Sequence, residues 1–232
     1  IGGGGLATGV STLAKMLNPK IKVIGVEPAG AACMKASLAE GHVVTLPTAK
    51  TIADGTAVKT PGDKLLPYIQ ENLDDIITVD DEELIVAFLD LMENHKMVAE
   101  NSGLLTIAAL KHMNVENKKI VSIISGGNMD VITMSSMVQH GLIARDRVFT
   151  VSVLLPDKPG QLVAVATKIA EMNANVIKLE HNQFFSINRN DLVELRITLE
   201  AFGTEHKKKI IEKLEQEGFR PRLVQLKGTL NG

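Results

Sequence analysis

The chain has 232 residues, of which 45% are hydrophobic and 22% are charged, and its formal net charge is −2 at pH 7. This composition excludes an intrinsically disordered chain, because disorder requires low hydrophobicity and high net charge. The small net charge excludes general attraction to nucleic acid or acidic membranes. Cys33 is the single cysteine, so no intrachain disulfide can form, and this usage fits a reducing cytoplasm. No apolar run approaches the ~20 residues of a transmembrane helix.

The N-terminal residue is Ile1, and four glycines follow it at 2–5. A natural N-terminus does not usually place a bare glycine run at an exposed end. We therefore expect this sequence to be the C-terminal piece of a longer protein, with Ile1 at the end of a strand.

Residues 1–144 form the first predicted domain, in which short apolar strands alternate with helices. This alternation is typical of an α/β fold with a parallel sheet. Apolar residues at helical spacing predict helices at 7–17, 31–39, 63–70, 81–95, 104–112 and 129–140. Short apolar runs predict strands at 22–27 and 76–79, and the β-branched run 120–125 predicts a buried parallel strand. Gly141 is predicted to end the last helix, and 141–147 to link the two domains.

Residues 147–228 form the second predicted domain, with the β-α-β-β-α-β order of a ferredoxin-like fold. Pro159 is predicted in the first turn of its first helix, and Thr204 at the cap of its second, which ends at Gly218. Alternating or apolar runs predict strands at 149–155, 176–181, 193–199 and 223–226, with a hairpin turn at 188–191.

The glycine loop, residues 2–6, directly precedes a predicted helix. Glycines let backbone N–H groups converge on a ligand, and a helix N-terminus adds free N–H groups and partial positive charge. These features suit a phosphate, although a flexible linker would have the same composition. No Gly-Lys-Ser/Thr follows, so this is not a Walker loop.

A second candidate is the serine loop, residues 125–128 (Ser-Gly-Gly-Asn), which follows the predicted strand 120–125. Ligands of open α/β sheets collect at the carboxyl ends of the strands. The alternative is an ordinary strand-to-helix turn, in which Ser and Gly are also common.

Four stretches together carry a family resemblance: Gly-Gly-Gly-Gly-Leu at 2–6, Val-Ile-Gly-Val-Glu-Pro at 23–28, Thr-Ile-Ala-Asp-Gly at 51–55, and the serine loop. In order and separation they resemble the fold-type II pyridoxal-phosphate (PLP) enzymes, and among these the threonine dehydratases, with the serine racemases as near relatives. Asp-Lys-Pro-Gly-Gln-Leu at 157–162 resembles the loop before the first helix of an ACT domain, a regulatory amino-acid-binding module. The resemblance implies an incomplete fold-type II parallel sheet with helices, followed by a ferredoxin-like ACT domain.

The resemblance also implies a cofactor site. The glycine loop would hold the PLP phosphate, Ser125 would hydrogen-bond the pyridine nitrogen, and Gly55 would line the site. Glu100 would place a carboxylate nearby, although a surface glutamate at a helix end is the alternative. The residues implied to bind the cofactor are Gly2, Gly3, Gly4, Gly5, Leu6, Gly55, Glu100 and Ser125.

The activity implied by the resemblance is deamination of L-threonine, and of L-serine, to 2-oxobutanoate or pyruvate with release of ammonia. Family members bind PLP through a lysine in a Ser-Phe-Lys-like context before the glycine loop, and no lysine of this chain has that context. Lys15 lies on the following helix and is interpreted as a surface residue. We therefore expect the chain alone to be inactive and to contain no catalytic residue. The alternatives are a non-catalytic amino-acid-binding module and a related serine dehydratase or racemase.

An effector would bind the second domain if the ACT resemblance holds, and isoleucine or valine are the expected effectors. Backbone N–H groups at a helix start suit an amino-acid carboxylate, whereas a purely structural turn is the alternative. The residues implied to bind the effector are Asp157, Gly160, Leu162 and Asn175.

Glu27 and the Ala31 carbonyl resemble part of the cation site of serine racemase, but Cys33 replaces its third ligand, a carboxylate. Because a hard divalent cation prefers oxygen ligands, we expect no metal site. Binding of a monovalent cation near Glu27 is left open. The first domain lacks leading strands of its sheet on this interpretation, so apolar surface would be exposed and a homo-oligomer is expected.

Overall fold

The computed structural model describes residues 1–181 and 192–224. The chain divides into two compact units, Ile1–Val138 and Gln139–Gly232. The division falls within a continuous helix and not in a flexible link. The functional domain limits of 1–144 and 147–228 stay a prediction.

The first unit alternates helices with two short strands, as predicted. In chain order its elements are α1 (Gly5–Leu17), β1 (Ile24–Pro28), α2 (Cys33–Glu40), α3 (Leu66–Asn72), β2 (Asp75–Val79), α4 (Asp81–Asp90), α5 (Leu105–Ala108) and α6 (Val131–Ala144), the last of which continues into the second unit. Strands β1 and β2 pair in parallel, with Ile24 opposite Asp75 and Pro28 opposite Val79. The predicted parallel α/β arrangement is therefore confirmed for these two strands.

Helix α4 carries the centre of the core of this unit. Its side chains Leu84, Ala87 and Phe88 are buried in one cluster with Leu104 and other apolar residues. Asp80 caps the helix: its side chain accepts from the backbone of Glu83, and the Glu83 carboxylate accepts from the Asp80 N–H. This reciprocal capping box explains why the helix begins where the sequence predicted.

The prediction of a buried parallel strand at 120–125 is wrong. In the described part of the chain no strand pairs with this segment, and the Val121 side chain is 87% exposed. Two side-chain contacts attach it to α5: Thr106 Oγ1 donates to the Ile123 carbonyl at 3.0 Å, and Ser122 Oγ lies 3.5 Å from the Thr106 carbonyl. A β-branched run favours extended backbone, but a strand also requires a neighbouring strand that accepts its hydrogen bonds.

The prediction that Gly141 ends helix α6 is also wrong, since the helix continues to Ala144. Its start is fixed by Asp130, whose Oδ1 accepts from the N–H groups of Ile132 and Thr133 at 2.9 Å each. An interior glycine costs a helix only about 1 kcal/mol relative to alanine, so neighbouring residues can carry the helix through it.

The second unit has the predicted β-α-β-β-α-β order. Its elements are β3 (Val148–Pro156), α7 (Gln161–Glu171), β4 (Asn175–His181), β5 (Leu192–Glu200), α8 (Thr204–Gln216) and β6 (Arg222–Val224). The strands form one antiparallel sheet in the order β4-β5-β3-β6. This arrangement is the ferredoxin-like topology. The predicted hairpin turn at 188–191, and the end of the predicted last strand at 225–226, lie outside the described residues.

One face of this sheet is covered by the two helices, and alternation along β3 and β5 decides which side chains face them. Thus Val151 and Val153 on β3 and Leu195 and Ile197 on β5 are almost fully buried, together with Ile210 of α8. The period-two pattern seen in the sequence therefore identified the core correctly.

Two predicted helix starts in this unit differ from the structure. Pro159 precedes helix α7, whose cap is Gly160 at φ 90°, and Gly203 at φ 109° caps helix α8. The Thr204 hydroxyl donates to Asp146 Oδ2 at 2.8 Å instead of capping its own helix. Gly218 follows α8 at φ 85°, as predicted for a helix end.

Asp146 joins the end of helix α6 to α8. Its Oδ1 accepts from Lys207 Nζ at 2.6 Å, and its Oδ2 accepts from Thr204. Burial alone would raise the pKa of Asp146, but the hydrogen bonds from Lys207 and Thr204 outweigh it and hold the pKa below its usual 3.8. A carboxylate with a lowered pKa stabilises the folded state above its unfolded pKa, and this stabilisation is lost as the pH falls through the folded pKa.

We expect Asp146→Asn to lower the free energy of unfolding by about 1–3 kcal/mol at pH 7, because hydrogen bonds from a charged donor are weakened. The difference from wild type should shrink as the pH falls from 3.8 through the lower pKa of the folded state, where the wild-type carboxylate also becomes protonated. Urea titrations followed by far-UV circular dichroism measure both effects. Glu205→Gln is the control, since this exposed carboxylate pairs with the exposed Lys208, and a surface ion pair contributes little to stability. Equal losses in the two variants would contradict the proposed role of Asp146.

Candidate functional site

The glycine loop leads directly into helix α1, which begins at Gly5 and not at the predicted residue 7. Gly4 caps the helix at φ 100°, a left-handed conformation that favours glycine. A Cβ added at Gly3 or Gly5 would meet no heavy atom within 4 Å, so both positions are open. The first-turn N–H groups of a helix have no acceptor within the helix. They are therefore available here to an anion that approaches the open glycines.

Gly55 lies beside this loop, as the sequence predicted for a residue lining the same site. A Cβ added at Gly2 would stand 3.2 Å from the Gly55 carbonyl oxygen. A Cβ added at Gly55 itself would stand 2.9 Å from Ser102 Oγ and 3.5 Å from Glu100 Oε1. The backbone of Gly55 is thus packed between the glycine loop and the turn that carries Glu100 and Ser102. A side chain at this position would close that space.

Glu100 is half-buried at the start of a short helical turn, Asn101–Leu104, and contacts the serine loop. Its Oε2 accepts from the Asn128 N–H at 3.1 Å, and its own N–H donates to the Gly126 carbonyl at 3.2 Å. A Cβ at Gly126 would overlap the Glu100 carboxylate at 2.3–2.7 Å. Ser125 is exposed at the start of this loop. The structure therefore places Gly55 beside the glycine loop, and Glu100 between Gly55 and the serine loop that begins at Ser125.

These residues fit a phosphorylated ring. Open glycines before a helix N-terminus suit the phosphate, and the exposed Ser125 hydroxyl can both donate and accept at a ring atom. Two polar atoms of the adjoining turn, Asn101 Oδ1 and Ser102 Oγ, are buried without a hydrogen-bond partner. Unpaired buried polar atoms are rare in folded proteins, and a bound group that supplies a partner is one explanation for them. Sequence reasoning did not select either residue, and their only signal was a position between Glu100 and the glycine at 103.

Glu27 does not present a free carboxylate to a cation. Its Oε1 accepts from the Met34 N–H and its Oε2 from the Lys35 N–H, both at 2.8 Å, so it caps helix α2. Burial raises the pKa of Glu27 and also that of the neighbouring Cys33 thiol. Within residues 1–181 and 192–224, His, Cys, Asp and Glu side chains form no cluster of three or more that could hold a metal ion.

Lys15 is a partly exposed residue of helix α1 that also binds neighbouring segments. Its Nζ donates to Asp74 Oδ2 at 2.8 Å and to the Ile21 carbonyl at 2.9 Å, and Asp74 also accepts from the Val23 N–H at 2.7 Å. The side chain of Lys15 is only 19% exposed. This ammonium group therefore fastens the end of helix α1 to the segments that flank β1 and β2.

A separate cavity of about 280 Å³ lies in the second unit, between the end of β3 and the start of α7. It brings together Asp157, Gly160 and Leu162, three of the four predicted effector residues, and His181 also lines it. Asn175, the fourth predicted effector residue, is not among the described residues that line this cavity. Its Nδ2 lies 3.4 Å from Glu200 Oε2. The cap Gly160 presents the N-terminus of α7 to this space.

No helix in the described part of the chain is both long enough and apolar enough to cross a membrane.

Residues 1–126 match the family of pyridoxal-phosphate dependent enzymes, and the chain therefore belongs to this family. The curated relatives it matches include the L-threonine ammonia-lyase of Geobacter sulfurreducens, 38% identical over 94% of this chain and 55% of that protein. The chain spans about half the length of such relatives. The threonine dehydratase resemblance recognised in the sequence is thus confirmed at the level of the family.

Two solved structures show the same fold. The processed form of threonine deaminase isoform 2 from Solanum lycopersicum is 37% identical, with a TM-score of 0.56 over 60% of this chain and 42% of that one. Maize serine racemase is 39% identical, with a TM-score of 0.54 over 60% of this chain and 45% of that one. The two neighbours correspond to the two enzyme classes that the sequence motifs resembled.

Proposed function

We propose that this chain forms half of a PLP-dependent L-threonine ammonia-lyase that also accepts L-serine, yielding 2-oxobutanoate or pyruvate and ammonia. The single observation that carries the proposal is the placement of Gly55 beside the glycine loop and of Glu100 between Gly55 and the serine loop. The family match and the L-threonine ammonia-lyase relatives support the substrate.

Each part of the site has one task in this proposal. The N–H groups of the glycine loop and of the first turn of α1 bind the phosphate. The Ser125 hydroxyl holds the ring nitrogen without protonating it, because a hydroxyl is a far weaker acid than a carboxylic acid. Glu100 orients the serine loop through its hydrogen bond from the Asn128 N–H. When bound, PLP supplies the electron sink that allows a proton to leave the α-carbon of an amino acid.

The lysine that holds the cofactor lies outside these 232 residues in this proposal. Lys15, which is nearest in sequence to the glycine loop, is engaged by Asp74 and the Ile21 carbonyl. The chain alone is therefore proposed to be inactive.

The second unit is proposed to be an ACT domain that binds isoleucine or valine. Its ferredoxin-like topology and the cavity beside Gly160 support this assignment. The cavity volume of about 280 Å³ is sufficient for a small amino acid, and the N-terminus of α7 suits its carboxylate. Regulation requires that the effector bind two states of the enzyme unequally.

A homo-oligomer in a reducing cytoplasm completes the proposal. Apolar side chains on helix α1, Leu13, Met16 and Leu17, are more than half exposed in this chain, and a further polypeptide surface would cover them. The single cysteine, Cys33, is buried and has no second cysteine in this chain with which to pair, which suits a reducing compartment.

A chimera tests the activity directly. The N-terminal part of the Geobacter sulfurreducens relative, up to the position aligned with Ile1, is fused to this chain to supply the missing lysine. With PLP, the chimera is expected to release ammonia and 2-oxobutanoate from L-threonine, and the 232-residue chain is expected to release none. Ser125→Ala should lower kcat by at least about tenfold, since it removes a hydrogen bond to the reacting ring.

Ser122→Ala is the matched control, because the Ser122 hydroxyl makes only a 3.5 Å contact with the Thr106 carbonyl, and this variant should keep wild-type kcat. A folded chimera that takes up PLP but deaminates neither amino acid would contradict the proposed reaction, and racemisation of serine would favour the racemase class. Isoleucine or valine added to the same assay tests the effector site.

A non-catalytic amino-acid-binding module is the second candidate function. The observation that favours it is that the cavity beside Gly160 is formed by this chain alone. Binding of isoleucine to the 232-residue chain, combined with an inactive chimera, would support this candidate.

A further inference from the structure

The segment that carries Gly55, residues 51–56, is held from outside by a carboxylate on helix α4. Asp81 Oδ1 accepts from Thr51 Oγ1 at 2.5 Å, and Asp81 Oδ2 accepts from the Ile52 N–H at 3.1 Å. Thr51 Oγ1 in turn accepts from the Ala53 N–H at 3.1 Å. One partly buried carboxylate therefore organises three successive residues of this segment.

A second side chain holds the same segment from the other side. Asn101 Nδ2 donates to the Ile52 carbonyl at 2.8 Å, and Asn101 follows Glu100 in the turn that contacts the serine loop. Both polar groups of the Ile52 backbone are thus bound by side chains from different elements. Ile52 itself is separated from Gly55 only by Ala53, which is fully buried, and Asp54.

The segment makes no regular strand or long helix that could fix it by itself; it forms a single short helical turn, Asp54–Thr56. That turn is closed by the Thr56 N–H and Oγ1, which both donate to the Ala53 carbonyl at 2.9 Å. Hence the placement of Gly55 depends on the placement of Ala53, and that in turn depends on Thr51 and Ile52.

We propose that Thr51, Asp81 and Asn101 are positioning residues that set the backbone of Gly55 against the glycine loop. The backbone at Gly55 and Thr56 lies very close to the glycine loop, so a small displacement of either would change the contact. A Cβ added at Gly2 would lie 3.2 Å from the Gly55 oxygen and 3.1 Å from Thr56 Cα. We call the hydrogen bonds that Thr51, Asp81 and Asn101 make to this segment the clamp. The significance of the clamp for catalysis rests on the proposed function, whereas its hydrogen bonds are a property of this chain. None of the three residues needs to touch the cofactor.

Amide hydrogen exchange resolved by NMR on the 232-residue chain tests the clamp. Thr51→Val removes the hydroxyl but leaves Asp81 and the charge at the start of α4 unchanged, and Thr51→Ser is the matched control that retains the hydroxyl. If the clamp positions the segment, Thr51→Val should accelerate exchange by about tenfold at Thr56 and Ala57, whose N–H groups donate to the Ala53 and Asp54 carbonyls on either side of Gly55 and make no direct bond to Thr51. Thr51→Ser should restore wild-type exchange at both.

Acceleration confined to Ala53, whose N–H binds Thr51 directly, would overturn the proposal, as would equal exchange in the two variants. The amides of Leu84 and Phe88 in the core helix α4 report whether the chain stays folded. Asn101→Ala provides an independent variant on another element and should accelerate exchange at the same two residues; no change there also overturns the proposal. The exchange experiment contains no cofactor, so its result does not depend on the proposed function. PLP uptake by the wild-type chimera tests the proposed function separately.

Discussion

Replacing Gly4 by alanine is expected to lower the free energy of unfolding by about 2–3 kcal/mol. Alanine is strained at φ 100°, and the new methyl group would stand 2.8 Å from Met34 Cε and 3.0 Å from Ile69 Cδ1. Both neighbours can rotate in principle, but both are fully buried and have little space in which to move. The loss of stability should appear as a lower urea midpoint in far-UV circular dichroism.

Gly5→Ala is the matched control for this change, because it adds the same methyl group one residue later. Gly5 is helical, and no heavy atom lies within 4 Å of its added Cβ. Alanine is the better helix former by up to about 1 kcal/mol, so stability should stay the same or rise. Equal destabilisation by the two substitutions would show that the left-handed cap is not what the loop requires.

Leu195→Ala in the centre of β5 is expected to destabilise the second unit by about 2–5 kcal/mol, the range for removing a buried leucine from a packed core. Leu195 is fully buried beneath the two helices, in the cluster that includes Val153 and Ile210. Chemical denaturation should show an earlier transition for this unit, whereas amide exchange in helix α4 of the first unit should not change.

Leu192→Ala removes the same atoms from the same strand and serves as its control. The Leu192 side chain is 57% exposed, so its truncation should change stability by less than about 0.5 kcal/mol. A large effect at Leu192, or a small one at Leu195, would contradict the burial pattern of β5.

The sequence predicted the elements whose signals are local. Alternation along β3 and β5 identified the core strands of the second unit, and the helical spacing of apolar residues after Asp80 predicted the start of α4. The glycine loop and the serine loop were selected from composition and resemblance, and in the structure Gly55 lies beside the glycine loop while Glu100 links Gly55 to the serine loop.

Features that depend on distant partners could not be predicted in this way. The run 120–125 has strong strand propensity, yet strand formation depends on a neighbour that local sequence does not specify. Thr204 fits the pattern of a helix cap, but its hydroxyl binds Asp146, a residue 58 positions away in sequence. The Thr51–Asp81 hydrogen bond likewise joins residues 30 positions apart, so no local sequence motif could predict the clamp.

The segment 120–125, with which no strand of the described chain pairs, has a practical consequence for work with this chain. Because Val121 projects into solvent and a β-branched run favours extended backbone, this segment offers a template onto which another extended chain can add. A second copy of the same β-branched run is the partner always present in a purified sample. Self-association through this edge would increase with protein concentration, so dilute samples best represent the behaviour of the single chain.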